Sequence, residues 1–323
     1  MQSQIKLLSK NDRPKQIDSA NQSISAVSPL STHLSTSKPH PTSGLSLPTL
    51  KHSADARPFK LIDSKEWNVA SCEPPSEATF FSEGNSAMSI ISVLGPRGVG
   101  KSSLLNRIAR RQVFETYNRT KYHARHTTRG IDVYSTYQRI LLDCQPLNAT
   151  SVLEDFLTGE SNSQFSKSTL SIDSLTCCHM ISIQLATFLI TVSDHIIIML
   201  NWLVDIHFLK TISTAIMLIG EDNIRARFVI YSQDCNTKTE RFKKLIGHCL
   251  GSGRIEKFLD NEQELIAHVI PYSSEKCEQC RKDPPTYTGK NWLNSCQKLW
   301  NTTIKNSSMF SDYALQLQNS FNA

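Results

Sequence analysis

The stretch Ser92-Val93-Leu94-Gly95-Pro96-Arg97-Gly98-Val99-Gly100-Lys101-Ser102-Ser103 matches G-x-x-x-x-G-K-[ST], the spacing of a phosphate-binding P-loop. Each residue type has a task in that chemistry. The glycines let the backbone curl so that successive N–H groups point inward at phosphate oxygens. Lys101 supplies a cation for the β- and γ-phosphates, and the Ser102 hydroxyl is placed to hold Mg²⁺. The expected nucleotide-binding set is Gly95, Gly98, Val99, Gly100, Lys101, Ser102 and Ser103.

Two positions downstream would complete such a site. In G-proteins a threonine in the loop after the first helix finishes the Mg²⁺ shell. His126-Thr127-Thr128-Arg129-Gly130-Ile131-Asp132 offers Thr128, with Thr127 as the alternative. Arg139-Ile140-Leu141-Leu142-Asp143 reads as a buried strand ending in an acid, the Walker B position. The metal set is then Ser102, Thr128 and Asp143, and the expected cofactor is a purine nucleoside di- or triphosphate, GTP/GDP or ATP, with Mg²⁺. Hydrolysis is another matter. An Asp-x-x-Gly motif is replaced by Asp143-Cys144-Gln145-Pro146, and proline has no N–H to offer a γ-phosphate. Leu147 stands where many GTPases carry a water-orienting glutamine, so no catalytic residue is assigned. A guanine reader, Asn-Lys-x-Asp, is replaced by Ser232-Gln233-Asp234-Cys235-Asn236, which leaves guanine and adenine both open.

The elements that must position these residues follow from hydrophobic patterning. Met88–Leu94 reads as a strand entering the loop, and Ser103–Ala109 as a helix whose N-terminus favours phosphate. Ile131–Tyr137 and Arg139–Asp143 read as two strands. Ile181–Val192 is a helix, broken by Ser193-Asp194 before the strand His195–Leu200, in which His195 reads as a satisfied core residue. Asp205–Leu218 is an amphipathic helix, Arg227–Tyr231 a strand, Lys238–Leu250 a helix and Leu265–Ile270 a last strand. This alternation specifies an α/β fold of the P-loop NTPase, G-domain-like kind, with a mostly parallel sheet and helices on both faces, over residues 86–272. A loop spans 273–289. C-terminal helices over 290–323 carry Trp292, Cys296, Leu299 and Trp300 as a stripe for packing on the core. Residues 1–57, rich in Ser, Thr, Pro, Asn and Gln, read as a disordered tail, and 58–85 as a linker with a short adhesive segment at Arg57–Asp63.

Composition narrows the classes. The chain has 323 residues, 39% of them hydrophobic, enough for one sizeable core. A net charge of +6 permits an acidic or nucleic-acid partner without requiring one. The run Arg107, Arg110, Arg111, Arg119, Lys121, Arg125 and Arg129, opposed locally by Glu115, has no aromatic stacking platform, so direct RNA binding is not expected. Nine cysteines beside a nucleotide loop read as reduced thiols. The N-terminus has no secretory apolar core, which points to the cytoplasm, with the nucleus open. Gln184, Asp194, His195, Asn201 and Asp205 interrupt the apolar middle, so no membrane span is expected. Cys277-Glu278-Gln279-Cys280 has the spacing of half a zinc site, and no second C-x-x-C accompanies it.

The order of these motifs resembles the Smg-nine family of nonsense-mediated mRNA decay factors, G-domain-like subunits of the Smg-one kinase complex. The residues carrying the resemblance are Lys60-Leu61-Ile62-Asp63, the loop at 95–102, Thr128-x-Gly130-Ile131-Asp132 and Asp143-x-Gln145-Pro146. Gln184–Leu189, Asn201-Trp202, Lys290-Asn291-Trp292, Trp300, Ser307-Ser308 and Tyr313 add to it. The resemblance implies a nucleotide-binding regulatory subunit that pairs with a Smg-eight-like partner and docks on the Smg-one kinase, which phosphorylates the helicase Upf-one. The competing class is a working GTPase or ATPase switch. The discriminating site is the one after Asp143, where Pro146-Leu147 favours the regulatory subunit.

Overall fold

Six consecutive buried residues, Ser89–Leu94, form a strand, as a mostly apolar run does when both faces of a sheet are covered. The computed structural model describes residues 57–69, 89–116, 125–136, 139–160, 172–232, 239–270 and 289–321, all within the unit His52–Ala323. The tail, Met88, Arg119, Lys121, Tyr137, the Gln233-Asp234 position and the Cys277/Cys280 pair lie outside the described residues.

Among the described residues seven strands make one sheet: β1 Phe59–Ile62, β2 Ser89–Leu94, β3 Ile131–Ser135, β4 Arg139–Cys144, β5 His195–Met199, β6 Arg227–Tyr231 and β7 Ile255–Leu259. Their spatial order is β1-β3-β4-β2-β5-β6-β7. The pairs β1/β3 and β3/β4 are antiparallel, and the remaining four are parallel. Among the described residues eight α-helices accompany the sheet: α1 Lys101–Ala109, α2 Thr150–Leu157, α3 Ser174–Val192, α4 Ile206–Ile219, α5 Glu240–Leu250, α6 Glu262–Val269, α7 Gly289–Leu299 and α8 Ser308–Phe321. Strand alternation divides the core in two. Ile91 and Val93 pack with Leu104 and Ile108 of α1 and Leu265 and Val269 of α6. Ile90 and Leu94 face the other way, into the layer that holds α3, α4 and the C-terminal helices. The mostly parallel α/β sheet with helices on both faces is what the chain forms.

The helix α3 is the centre of that second layer. Asp173 caps it by accepting from the N–H groups of Leu175 and Thr176, and its residues are buried nearly all round. Alone among the described helices it is long and apolar enough to cross a membrane, and most of it lies inside the protein. Asp194, just past its end, accepts from Ile90 N at 2.9 Å and from Arg225 Nε and Nη2 at 2.9 and 2.7 Å. One carboxylate thus joins β2, β5 and the approach to β6.

Two expectations change. Leu265–Ile270 is not a strand. The helix α6 covers most of that stretch, and the last strand is β7, immediately before it. Asn261 caps α6 through the N–H groups of Gln263 and Glu264, and Leu265 and Val269, four apart, are its buried face. A short apolar run fits either period, and the cap decides it. The segment at 59–62 is more than adhesive. It is the edge strand β1, with Leu61 and Ile62 fully buried.

The chain around β1 and the C-terminal region meet on α3. Trp67 Nε1 donates to Gln184 Oε1 at 3.0 Å, and Gln184 Nε2 donates to Ile304 O at 3.1 Å. Trp300 Nε1 donates to Trp67 O at 3.3 Å, and its ring meets those of Trp67 and Phe188 edge-on, each at 5.5 Å. A π-helical turn, Trp300–Lys305, sets this geometry between α7 and α8. Replacing Trp300 by alanine removes the shared ring and should cost about 3–5 kcal/mol. The expected result is a lower urea midpoint with an unchanged m-value.

Candidate functional site

The loop Gly95–Gly100 joins the end of β2 to the start of α1, at the edge of the sheet where the parallel strands end. Gly98 and Gly100 adopt φ of 81° and 89°, the left-handed region that side chains avoid. Gly95 packs against the end of β5, where an added Cβ would come within 2.7 Å of Met199 O. Val99 leans on the α1 side of the core. Ser102 and Ser103 are half-buried in the first turn of the helix. The Lys101 ammonium donates to Gly95 O and Pro96 O, each at 3.0 Å, so the loop curls around its own lysine. Burial lowers the pKa of Lys101, and Asp143 nearby opposes that shift.

The three residues expected around a metal converge. Val93 pairs with Asp143 across β2 and β4, which puts the carboxylate beside the start of the loop. Its Oδ2 accepts from Ser102 Oγ at 2.7 Å and from Thr128 Oγ1 at 2.8 Å, and the two hydroxyls lie 3.4 Å apart. Thr127, the alternative, is exposed. Oδ1 of Asp143 is buried and makes no hydrogen bond among the described residues. Burial raises the pKa of Asp143 to about 6, against the opposing pull of Ser102, Thr128 and Lys101. One carboxylate with an unused oxygen and two hydroxyls is a hard-oxygen set that fits a small divalent cation. Among the described residues no group of three or more His, Cys, Asp or Glu could hold a metal.

The chain beyond Asp143 turns into the core. Gln145, Pro146 and Leu147 are buried, and Leu147 packs in the layer of α3. On the other side of the site His126 is buried against α2, with Nδ1 3.0 Å from Ser151 Oγ and Nε2 3.5 Å from Asp155 Oδ2. Burial, with Arg129, Arg97, Lys101 and Arg125 around it, lowers the His126 pKa to about 4. No motif announces this pair of partners; the only trace is that Ser151 and Asp155 are four apart on one helix face. Three arginines of the basic run also find distant carboxylates. Arg107 pairs with Glu262, Arg125 with Glu160, and Arg129 with Asp155 and Glu160. The described cysteines, Cys144, Cys177, Cys178, Cys249 and Cys296, are all thiols, and burial raises the Cys178 pKa to about 12.

Fold and site together define an α/β protein whose central parallel strand ends in a glycine-rich loop beside a buried hydroxyl–carboxylate cluster. No family model matches the chain. It is 32% identical over 132 residues to the nonsense-mediated mRNA decay factor SMG9 of Caenorhabditis briggsae, covering 38% of this chain and 31% of that protein. It is 33% identical over 118 residues to the SMG9 of Caenorhabditis elegans, covering 34% and 28%. The SMG9 of Salmo salar matches at 27% over 180 residues, covering 52% and 32%. Over the aligned part the chain is similar to SMG9 proteins of several species. The matches span under a third of the length of these curated relatives.

Two buried groups set opposite pH dependences. Asp143 has a folded-state pKa raised from 3.8 to about 6, so its contribution to stability falls as pH rises through that window. His126 has one lowered from 6.5 to about 4, so its contribution rises with pH between those values. Each amounts to something on the order of 3 kcal/mol. In magnesium-free buffer, urea unfolding of Asp143→Asn should therefore rise more steeply than wild type between pH 4 and 6. His126→Gln should rise less steeply. Profiles parallel to wild type would contradict both assignments.

Proposed function

We propose that this chain is a P-loop, G-domain-like nucleotide-binding regulatory subunit of the nonsense-mediated mRNA decay machinery. The observation that carries the nucleotide reading is the convergence of Lys101, Ser102, Thr128 and Asp143 at the mouth of the Gly95–Gly100 loop. Gly95, Gly98, Val99, Gly100, Lys101, Ser102 and Ser103 would cradle the phosphates of a purine nucleotide, GTP/GDP or ATP. Ser102, Thr128 and Asp143 would hold Mg²⁺, which neutralises phosphate charge when bound. The pathway reading is supported by the SMG9 name of the relatives. The motif resemblance extends it to pairing with a Smg-eight-like subunit, docking on the Smg-one kinase in the cytoplasm, and an indirect effect on Upf-one.

The chain's own residues favour binding over turnover. Pro146 has no N–H for a γ-phosphate, and Leu147 is committed to the core rather than to a water. The nucleotide then acts as a folding and docking element, stabilising the domain by mass action. Calorimetry with GTP and ATP tests the binding. Lys101→Ala should lose contacts of roughly 1.5–3 kcal/mol, one to two decades in affinity. Equal affinities in wild type and variant would remove the assignment. A single-turnover assay, alone and with the Smg-eight-like partner, should give rates no faster than about 10⁻⁴ s⁻¹. Multiple turnovers per minute that vanish in Lys101→Ala would instead establish a working GTPase or ATPase switch.

A further inference from the structure

The loop that carries Thr128 is held from both sides by the chain itself. Gly130 N–H donates to the side-chain Oε1 of Gln145 at 2.7 Å, and Gln145 N–H donates to Gly130 O at 2.9 Å. Both residues are buried. The exchange continues the antiparallel β3/β4 ladder one step past its last strand pair, Ile131 with Cys144. Gly130 also lies so close to β1 that an added Cβ would meet Ile62 O at 1.9 Å, and Lys60 Nζ donates to Arg129 O at 2.9 Å. Upstream, His126 is anchored to Ser151 of α2.

We propose that Gln145 is a positioning residue that fixes Thr128 through Gly130, so that the nucleotide site keeps one geometry whichever phosphate chain it holds. The proposal rests on the nucleotide-binding reading above and deepens it. Its core is a matched spacing: Asp143 bonds Thr128, and Gln145, two residues on, bonds Gly130, two residues on. A loop that ordered and released with the γ-phosphate would have to break the Gln145 pair, stranding a buried donor and acceptor. Gln145 is itself unable to follow such a motion, because Pro146 and Leu147 after it are sunk in the core. In nucleotide switches the corresponding loop is ordered by contacts to the γ-phosphate and metal and released on hydrolysis. Here Gln145 takes over that holding role.

Hydrogen exchange of the full chain tests this, read in peptides covering 126–131 and 98–103, with no nucleotide and with the magnesium forms of GDP, GTP, ADP and ATP. In wild type, 126–131 should be protected equally in every state. Gln145→Leu should speed exchange there by roughly tenfold or more, the equivalent of one lost buried hydrogen bond, with β2 and β4 unchanged. Gln145→Glu, which keeps an acceptor for Gly130 N–H, should restore protection. Protection of 126–131 in wild type that appears only with triphosphate would overturn the proposal. So would a folded Gln145→Leu whose 126–131 exchange matches wild type. Failure of the nucleotide reading shows separately, as no protection of 98–103 by any nucleotide. The wild-type measurement decides the matter even if Gln145→Leu does not fold.

Discussion

The parallel pairing of β2 between β4 and β5 is the constraint on which the rest of the molecule depends. A strand paired on both edges and covered on both faces has no exposed side, so its sequence is mostly apolar, with only the small Ser89 and Ser92 among the aliphatics, and helices must lie above and below it. Because its neighbours run the same way, their ends arrive at one edge of the sheet. The register then does the rest. Val93 opposite Asp143 brings an acid from β4 to the start of the loop, and Leu94 opposite Ile198 brings the end of β5 against Gly95. No local contact within the loop could assemble residues 95, 102, 128 and 143; the sheet does it.

Placing an ammonium and a carboxylate together in a buried pocket is a poor way to stabilise a fold, since desolvation offsets much of the attraction. Both groups are perturbed, Lys101 downward and Asp143 upward, with burial the leading cause in each case. Perturbed groups gathered at the end of a parallel sheet mark a site. The cations around His126 add to the same picture. Arg97, Lys101, Arg125 and Arg129 all push its proton off, which describes a local field favourable to an anion.

Much of this was legible in the sequence because it is encoded locally. The glycine-rich loop, the buried strands and the Ser193-Asp194 break each follow from residue type and period, and so does the acid at the end of β4. What was not legible is carried by long-range partners. Leu265–Ile270 is apolar enough to read as a strand, and only the Asn261 cap and the four-residue spacing of Leu265 and Val269 show it to be α6. Arg107, Arg125 and Arg129 look like part of a solvated basic run until Glu262, Glu160 and Asp155 are brought to them. The same holds for Gln145. A glutamine before a proline names no partner until Gly130 lies opposite.

The Trp67–Gln184–Trp300 clasp has a consequence for how the chain is made. Trp67 and Trp300 are 233 residues apart, and both close over the same stretch of α3. A ribosome releases β1, the sheet and α3 well before it releases α7 and α8. Until those last helices emerge, an apolar helix long enough to pass for a membrane segment stands uncovered on one side of a nearly finished sheet. Biogenesis of this domain therefore includes an interval in which its central helix needs shelter, and the arrival of α7 and α8 ends it.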